Sequence, residues 1–270
     1  MTNVTRRLRW GRGFALGTLA VLLGGLPPTV QGIPFGGEAV PDAKKLEALL
    51  RRPPEQRRLT AEDENRYVEI LQQREVGGDL GCVVALSLAY GTQPRSLEVL
   101  RTEARQLNVA GIPPDIVGGA AAYAVAVREA QSRSPEERFG LLCYRLGRSA
   151  NPWERLFLAN RLAVDYGRRA GWVLLEAARA ERPPEGAEDR LAESFAQYGM
   201  LHALVHMKDA ALARAVLQED WSKAFGGLAE QLQYLMARVS PYADADSWSF
   251  GPSKLLDIAR RTAESAAPEK

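Results

Sequence analysis

The sequence predicts an all-α protein, a multi-helix bundle or a short α-solenoid of antiparallel helix pairs with no appreciable β-sheet. Three observations carry this expectation. Apolar residues recur at helical spacing through most of the chain, and capping residues, proline pairs and glycine pairs punctuate those segments. No alternating apolar-polar run of useful length marks a strand. Two neighbouring segments, Ser134-Pro135-Glu136-Glu137 and Asn151-Pro152-Trp153-Glu154, open alike, as successive helices joined by a tight turn would.

Element by element, Thr60 followed by Asp63 opens a helix that runs to about Glu75, and Gly77 and Gly78 break it. Leu80 to Tyr90 is apolar enough to be a buried helix. Pro94 at a first-turn position opens another, with Leu97, Leu100, Ala104 and Leu107 on one face. Asn108 to Pro114 is a loop, and Asp115 to Ala130 is a run of small apolar residues suited to lie between other helices. The two similar segments follow, each with a cap, a proline and a glutamate three residues past the cap, the arrangement of a capping box. A helix from about Glu188 to Lys208 carries Leu191, Phe195, Tyr198, Leu201, Leu204 and Val205. Asp209 caps the next, which holds Leu212, Val216 and Leu217. Another runs from about Trp221 to Val239, weakened by Gly226 and Gly227. Pro241 to Pro252 is irregular, and a last helix covers Ser253 to about Ser265.

Two copies of Arg-Pro-Pro-Glu, at 52–55 and 182–185, mark the boundaries, because paired prolines stop helices. The expected organisation is an export signal over 1–32, a Pro/Arg-rich linker with a short helix over 33–58, and helical regions over 59–182 and 187–270 that pack as one globular unit. Arg51, Arg52, Arg57 and Arg58 read as part of a solvated linker.

The first residues place Arg6, Arg7, Arg9 and Arg12 before an apolar run from Phe14 to Leu26 that ends at Pro27 and Pro28. A basic head, a short apolar middle and a small-x-small exit at Val30, Gln31 and Gly32 are the order of a cleavable secretion signal, with the mature chain beginning at Ile33. The run is shorter than the about 20 apolar residues a membrane-crossing helix needs. Thr5-Arg6-Arg7 with a glycine-containing middle also resembles a twin-arginine signal. The expectation is export to the periplasm or outside the cell, with membrane contact only through the signal.

The whole chain has 35 Lys plus Arg against 33 Asp plus Glu, but removing the signal leaves 31 against 33. Binding nucleic acid requires a basic surface, so no nucleic-acid partner is expected. Cys82 and Cys143 are the only cysteines, and in an oxidising compartment they are a candidate disulfide; the alternative is two small buried hydrophobes.

Three groups of residues are candidates for chemistry or binding. His202 and His206 lie four apart on one helix, which sets two imidazoles on one face for a zinc ion. Ala203 stands where a metalloprotease has its glutamate, and a third ligand would come from Glu193, Asp209, Asp244 or Asp246. Cys82 follows Gly77-Gly78-Asp79-Leu80-Gly81 at the head of an apolar helix, where a thiol can be activated. Trp248 and Phe250 lie in the acidic loop with Asp244 and Asp246, and exposed aromatics anchor partners.

The stretch from Asp79 to Arg101, through Leu80-Gly81, Tyr90-Gly91 and Ser96-Leu97-Glu98-Val99-Leu100-Arg101, resembles the start of bacteriocin-processing papain-like peptidases. The resemblance implies cysteine catalysis from the position that holds Leu80 here, with Cys82 displaced and no histidine before His202. The function expected is an exported, non-catalytic helical scaffold without a cofactor that binds a protein or peptide in the bacterial envelope. The alternative is a metal-binding protein or metal-dependent hydrolase centred on His202 and His206.

Overall fold

The structure, a computed structural model, describes residues 56–72, 78–106, 116–181, 190–221 and 252–265, together with Leu49 and Arg52. Among them are ten helices and no strand: α1 (Ala61–Gln72), α2 (Gly78–Leu88), α3 (Pro94–Gln106), α4 (Ile116–Gln131), α5 (Pro135–Arg148), α6 (Pro152–Tyr166), α7 (Arg168–Ala180), α8 (Arg190–His206), α9 (Ala210–Leu217) and α10 (Pro252–Ser265). The protein is all-helical, with the helix-on-helix packing of a bundle. The signal segment, the prolines of both boundaries and the stretch 222–251 lie outside the described residues.

Local chemistry fixes the helix starts. The Asp63 amide donates to Thr60 Oγ1 at 3.1 Å ahead of α1, and the Ala211 and Leu212 amides donate to Asp209 Oδ1 at 2.9 and 3.1 Å ahead of α9. Ser134 and Glu137 close a reciprocal capping box at α5. At α6, Asn151 Oδ1 takes the amides of Trp153 and Glu154 at 2.9 and 3.3 Å. One break is not marked by the periodicity. Between α6 and α7 the chain turns at Gly167, whose φ of 51° and ψ of −130° suit glycine alone.

The helices α4 and α6 form the centre. The first packs against α2, α3, α5 and α6, and the second against α4, α5, α7 and α8. Their crossing is close because Gly119 has no side chain: a Cβ there would run into the Trp153 Cβ and lie 2.8 Å from Asn151 Oδ1. Leu156, Leu158 and Leu162 of α6 are fully buried, each worth about 1.5–3 kcal/mol in apolar surface removed from water. After α7, α8 lies on α6 and α7, and α9 and α10 pack on each other and on α8. Among the described residues no helix is long and apolar enough to cross a membrane.

One expectation needs correction. Arg57 is buried, not solvated, because it reaches across to the end of α6 and pairs with Asp165 at 3.1 Å. Of the two alternatives for the cysteines, the structure has them as free thiols. Cys82 sits on α2, which packs on α1, α3 and α4, while Cys143 sits on α5, which packs on α4, α6 and α7, so the two lie on different flanks of α4.

Candidate functional site

The charged side chains that the fold takes inside are the first place to look for chemistry. Glu64 of α1 is wholly buried, and its carboxylate accepts the backbone amides of Thr92 and Gln93 at 2.8 Å each, ahead of α3. Ser96 donates its hydroxyl to the same carboxylate, and Arg128 of α4 lies 3.4 Å from Glu64 Oε1 while donating to the Gln93 carbonyl at 2.9 Å. Glu64 therefore serves as a cap for α3 supplied by another helix and ties α1, α3 and α4 together. A serine beside a glutamate could suggest a nucleophile and its base. Here the Ser96 hydroxyl is as buried as the carboxylate, and its oxygen accepts a hydrogen bond from Arg128, so the cluster works as a latch between the helices.

A second cluster joins segments far apart in sequence. Asp165 sits between Arg57 and Arg161, with all three side chains buried. Arg161 Nη1 donates to the Tyr90 hydroxyl at 2.9 Å, and Tyr90 and Tyr123 share a hydrogen bond. Burial and then Tyr90 hold the Tyr123 phenol well above its usual range. Burial pulls the Arg161 guanidinium down, but Tyr90, Tyr123 and Asp165 more than reverse this and leave it raised. The cluster thus ties two arginines to one aspartate inside the bundle, and burial favours the neutral Tyr123 phenol.

The third cluster lies at the head of α6. Glu154 is buried, accepts the Ser149 hydroxyl at 2.5 Å through Oε2, and leaves Oε1 without a hydrogen bond. Burial pushes its carboxyl up, against the Ser149 hydrogen bond and the nearby Arg145 and Arg155. Beside it, Arg155 grips the buried Glu181, with Nε at 2.6 Å, and Nη1 donates to the Ser149 carbonyl at 2.7 Å. Gln197 of α8 donates to the Ala178 and Glu181 carbonyls at 2.9 and 2.8 Å, closing the end of α7.

Of the residues singled out from sequence, His202, Cys82 and Cys143 have described side chains, and each lies on a different helix. His202 is 7% exposed on the inner side of α8, its ring centroid 6.3 Å from that of Tyr198. The side chain of His206 lies outside the described residues, as do Trp248, Phe250, Asp244 and Asp246. Among the described residues no group of three or more His, Cys, Asp or Glu is placed to hold a metal ion. Cys82 is 1% exposed, and α2 begins at Gly78, a full turn earlier than a helix-head thiol requires. Cys143 is half-buried, and burial raises its thiol above the usual range, against the thiolate form.

Two aromatic side chains and Val164 of α6 are the large hydrophobic residues that reach the surface among the described residues. Tyr144 of α5 is 63% exposed and Trp172 of α7 is 53% exposed, and the two helices pack against each other. Phe139 of α5 meets Tyr166 at a tilt of 59° with ring centroids 4.8 Å apart, and the Arg169 guanidinium lies 4.3 Å from the Phe139 ring centre while paired with Glu136. Sequence reasoning sought exposed aromatics in the Trp248 loop and passed over this face. The signal was there: Tyr144 and Trp172 fall opposite the Leu142–Leu146 and Leu174–Ala178 pairs that their helices bury. Comparison with protein-family models, with curated proteins and with solved structures finds no match to this chain.

Proposed function

We propose that this chain is an exported, non-catalytic helical scaffold that binds a protein or peptide partner through the outer surface of α7. The observation that carries the reading is Trp172, a large aromatic more than half exposed in the middle of a helix whose other large apolar residues are covered. Arg168 and Arg169 lie one turn before it and Glu176 one turn after, on the same face. Tryptophan and arginine together are the side chains that most often anchor protein interfaces. The arginines are held in place by ion pairs, Arg168 with Asp209 at 3.4 Å and Arg169 with Glu136, so the rim around the indole is pre-ordered. Export rests on the basic head and short apolar run of residues 6–26.

The test is retention. The chain purified from the exported fraction of its producing cell, with its first residue located by intact mass, is immobilised beside a Trp172→Ser form and exposed to that same fraction. The reading expects a start at Ile33 and a partner held by the first form and released by the second, with unchanged thermal unfolding. A chain that keeps residues 1–32, or forms that retain the same proteins equally, contradicts it.

A further inference from the structure

The outer face of α5 carries two glycines that the monomer does not need. A Cβ at Gly140 or at Gly147 would meet nothing within 4 Å, and glycine in a helix interior costs roughly 0.5–1 kcal/mol relative to alanine. Tyr144 stands between them at helical spacing, and it is the most exposed large hydrophobic residue described. The face therefore has a knob flanked by two notches. Its charges are also arranged by end. Glu137 lies one turn before Gly140, and Arg148 lies one turn after Tyr144, its guanidinium 5.9 Å from the Tyr144 ring centre. The hydrogen bonds from Ser134 keep Glu137 ionised, with its carboxyl below the usual range.

We propose that this face of α5 binds a second copy of this chain, antiparallel about a two-fold axis at the level of residues 142–143. A two-fold placed there sets Tyr144 of each copy beside Gly140 of the other, so each ring enters the notch that the opposite glycine leaves. It also brings Glu137 of each copy to Arg148 of the other, twice, past the open Gly147. Within one chain these two residues are eleven positions apart along a helix, too far to pair. Self-complementarity in both shape and charge is what singles out a second copy over an unrelated partner. One helix face buries less than the roughly 800 Å² per partner of a standard interface, so the dimer is a weak and reversible one. The inference does not rest on the partner proposed for α7, since Trp172 takes no part in the α5 contact.

Sedimentation of the chain beginning at Ile33, over a concentration series up to about 1 mM, tests it. The wild type is expected to pass from monomer to dimer. Gly140→Gln with Gly147→Gln fills both notches with helix-forming side chains, so it should raise the dissociation constant by about tenfold or more while leaving thermal unfolding equal or higher. Glu137→Arg alone and Arg148→Glu alone should each weaken self-association. A mixture of the two should form a heterodimer, because every opposed pair is then of opposite sign. A wild type that stays monomeric throughout, a dimer indifferent to the glycine changes, or a mixture no tighter than its components overturns the proposal.

Discussion

Glu137 at the start of α5 and Glu154 at the start of α6 hold the same place in the same pattern, three residues past a capping side chain and two past a proline. Glu137 is at the surface. It accepts the Ser134 amide at 3.0 Å and the Ser134 hydroxyl at 2.8 Å, and these bonds hold its carboxyl below the usual range. Glu154 turns instead to the Ser149 hydroxyl under the α4–α6 crossing, and burial raises its carboxyl. The comparison teaches that a capping pattern fixes where a helix begins, while the helix's place in the bundle decides what the carboxylate does. The same division separates the two helices as wholes: α6 keeps its charges inside, paired for the fold, and α5 offers an outer face.

The largest expected effect breaks the buried side. Asp165→Ala leaves Arg57 and Arg161 inside without their shared carboxylate and should cost about 3–5 kcal/mol in denaturant unfolding. Removing Glu136, the exposed α5 partner of Arg169, should leave unfolding nearly unchanged. Next in size, Gly119→Ala pushes a methyl into Trp153 at the α4–α6 crossing and should lower stability by about 1–3 kcal/mol. The same change at Gly140, on the open side of α5, should raise monomer stability by up to about 1 kcal/mol. Both are read in thermal and denaturant unfolding, and equal signs would erase the contrast.

The smallest effect is a pair of opposed pH slopes. Glu154 binds its proton more tightly folded than unfolded, so the cost of its charge is absent at pH below the ordinary carboxylate range. That cost grows as pH rises towards the raised folded value, and stability falls across the window. Glu154→Gln should remove this fall. Glu137 binds its proton less tightly when folded, so its contribution is present above the ordinary range and is lost as pH drops through the depressed folded value. Glu137→Gln should therefore weaken the protein at neutral pH and have no effect in strong acid, measured by unfolding at each pH.

The helix starts were legible because they are local. Thr60, Ser134, Asn151 and Asp209 each bond amides two or three residues away, and a sequence displays that spacing directly. The all-helical class follows from the same periodicity. The polar clusters were not legible, because their partners are chosen by which helices touch. Glu64 finds Thr92, Gln93, Ser96 and Arg128, and Arg57 finds Asp165 at a separation of 108 residues. Gly167 was hidden for another reason: a lone glycine between two segments of helical periodicity resembles a tolerated helix residue until its φ is known. Buried Cys82 shows the same limit from the other side. A thiol directly after a glycine-rich run looked like a helix head, but α2 starts earlier and carries it into the core.

The most direct test of the division between α5 and α6 is carbon-detected NMR titration of the glutamate carboxyls, assigned with Glu137→Gln and Glu154→Gln. Glu154 is predicted to titrate above the ordinary carboxylate range and Glu137 below it. Coincident titrations within that range would mean that the shared pattern, and not the side of the bundle, governs both groups, and the account would fail.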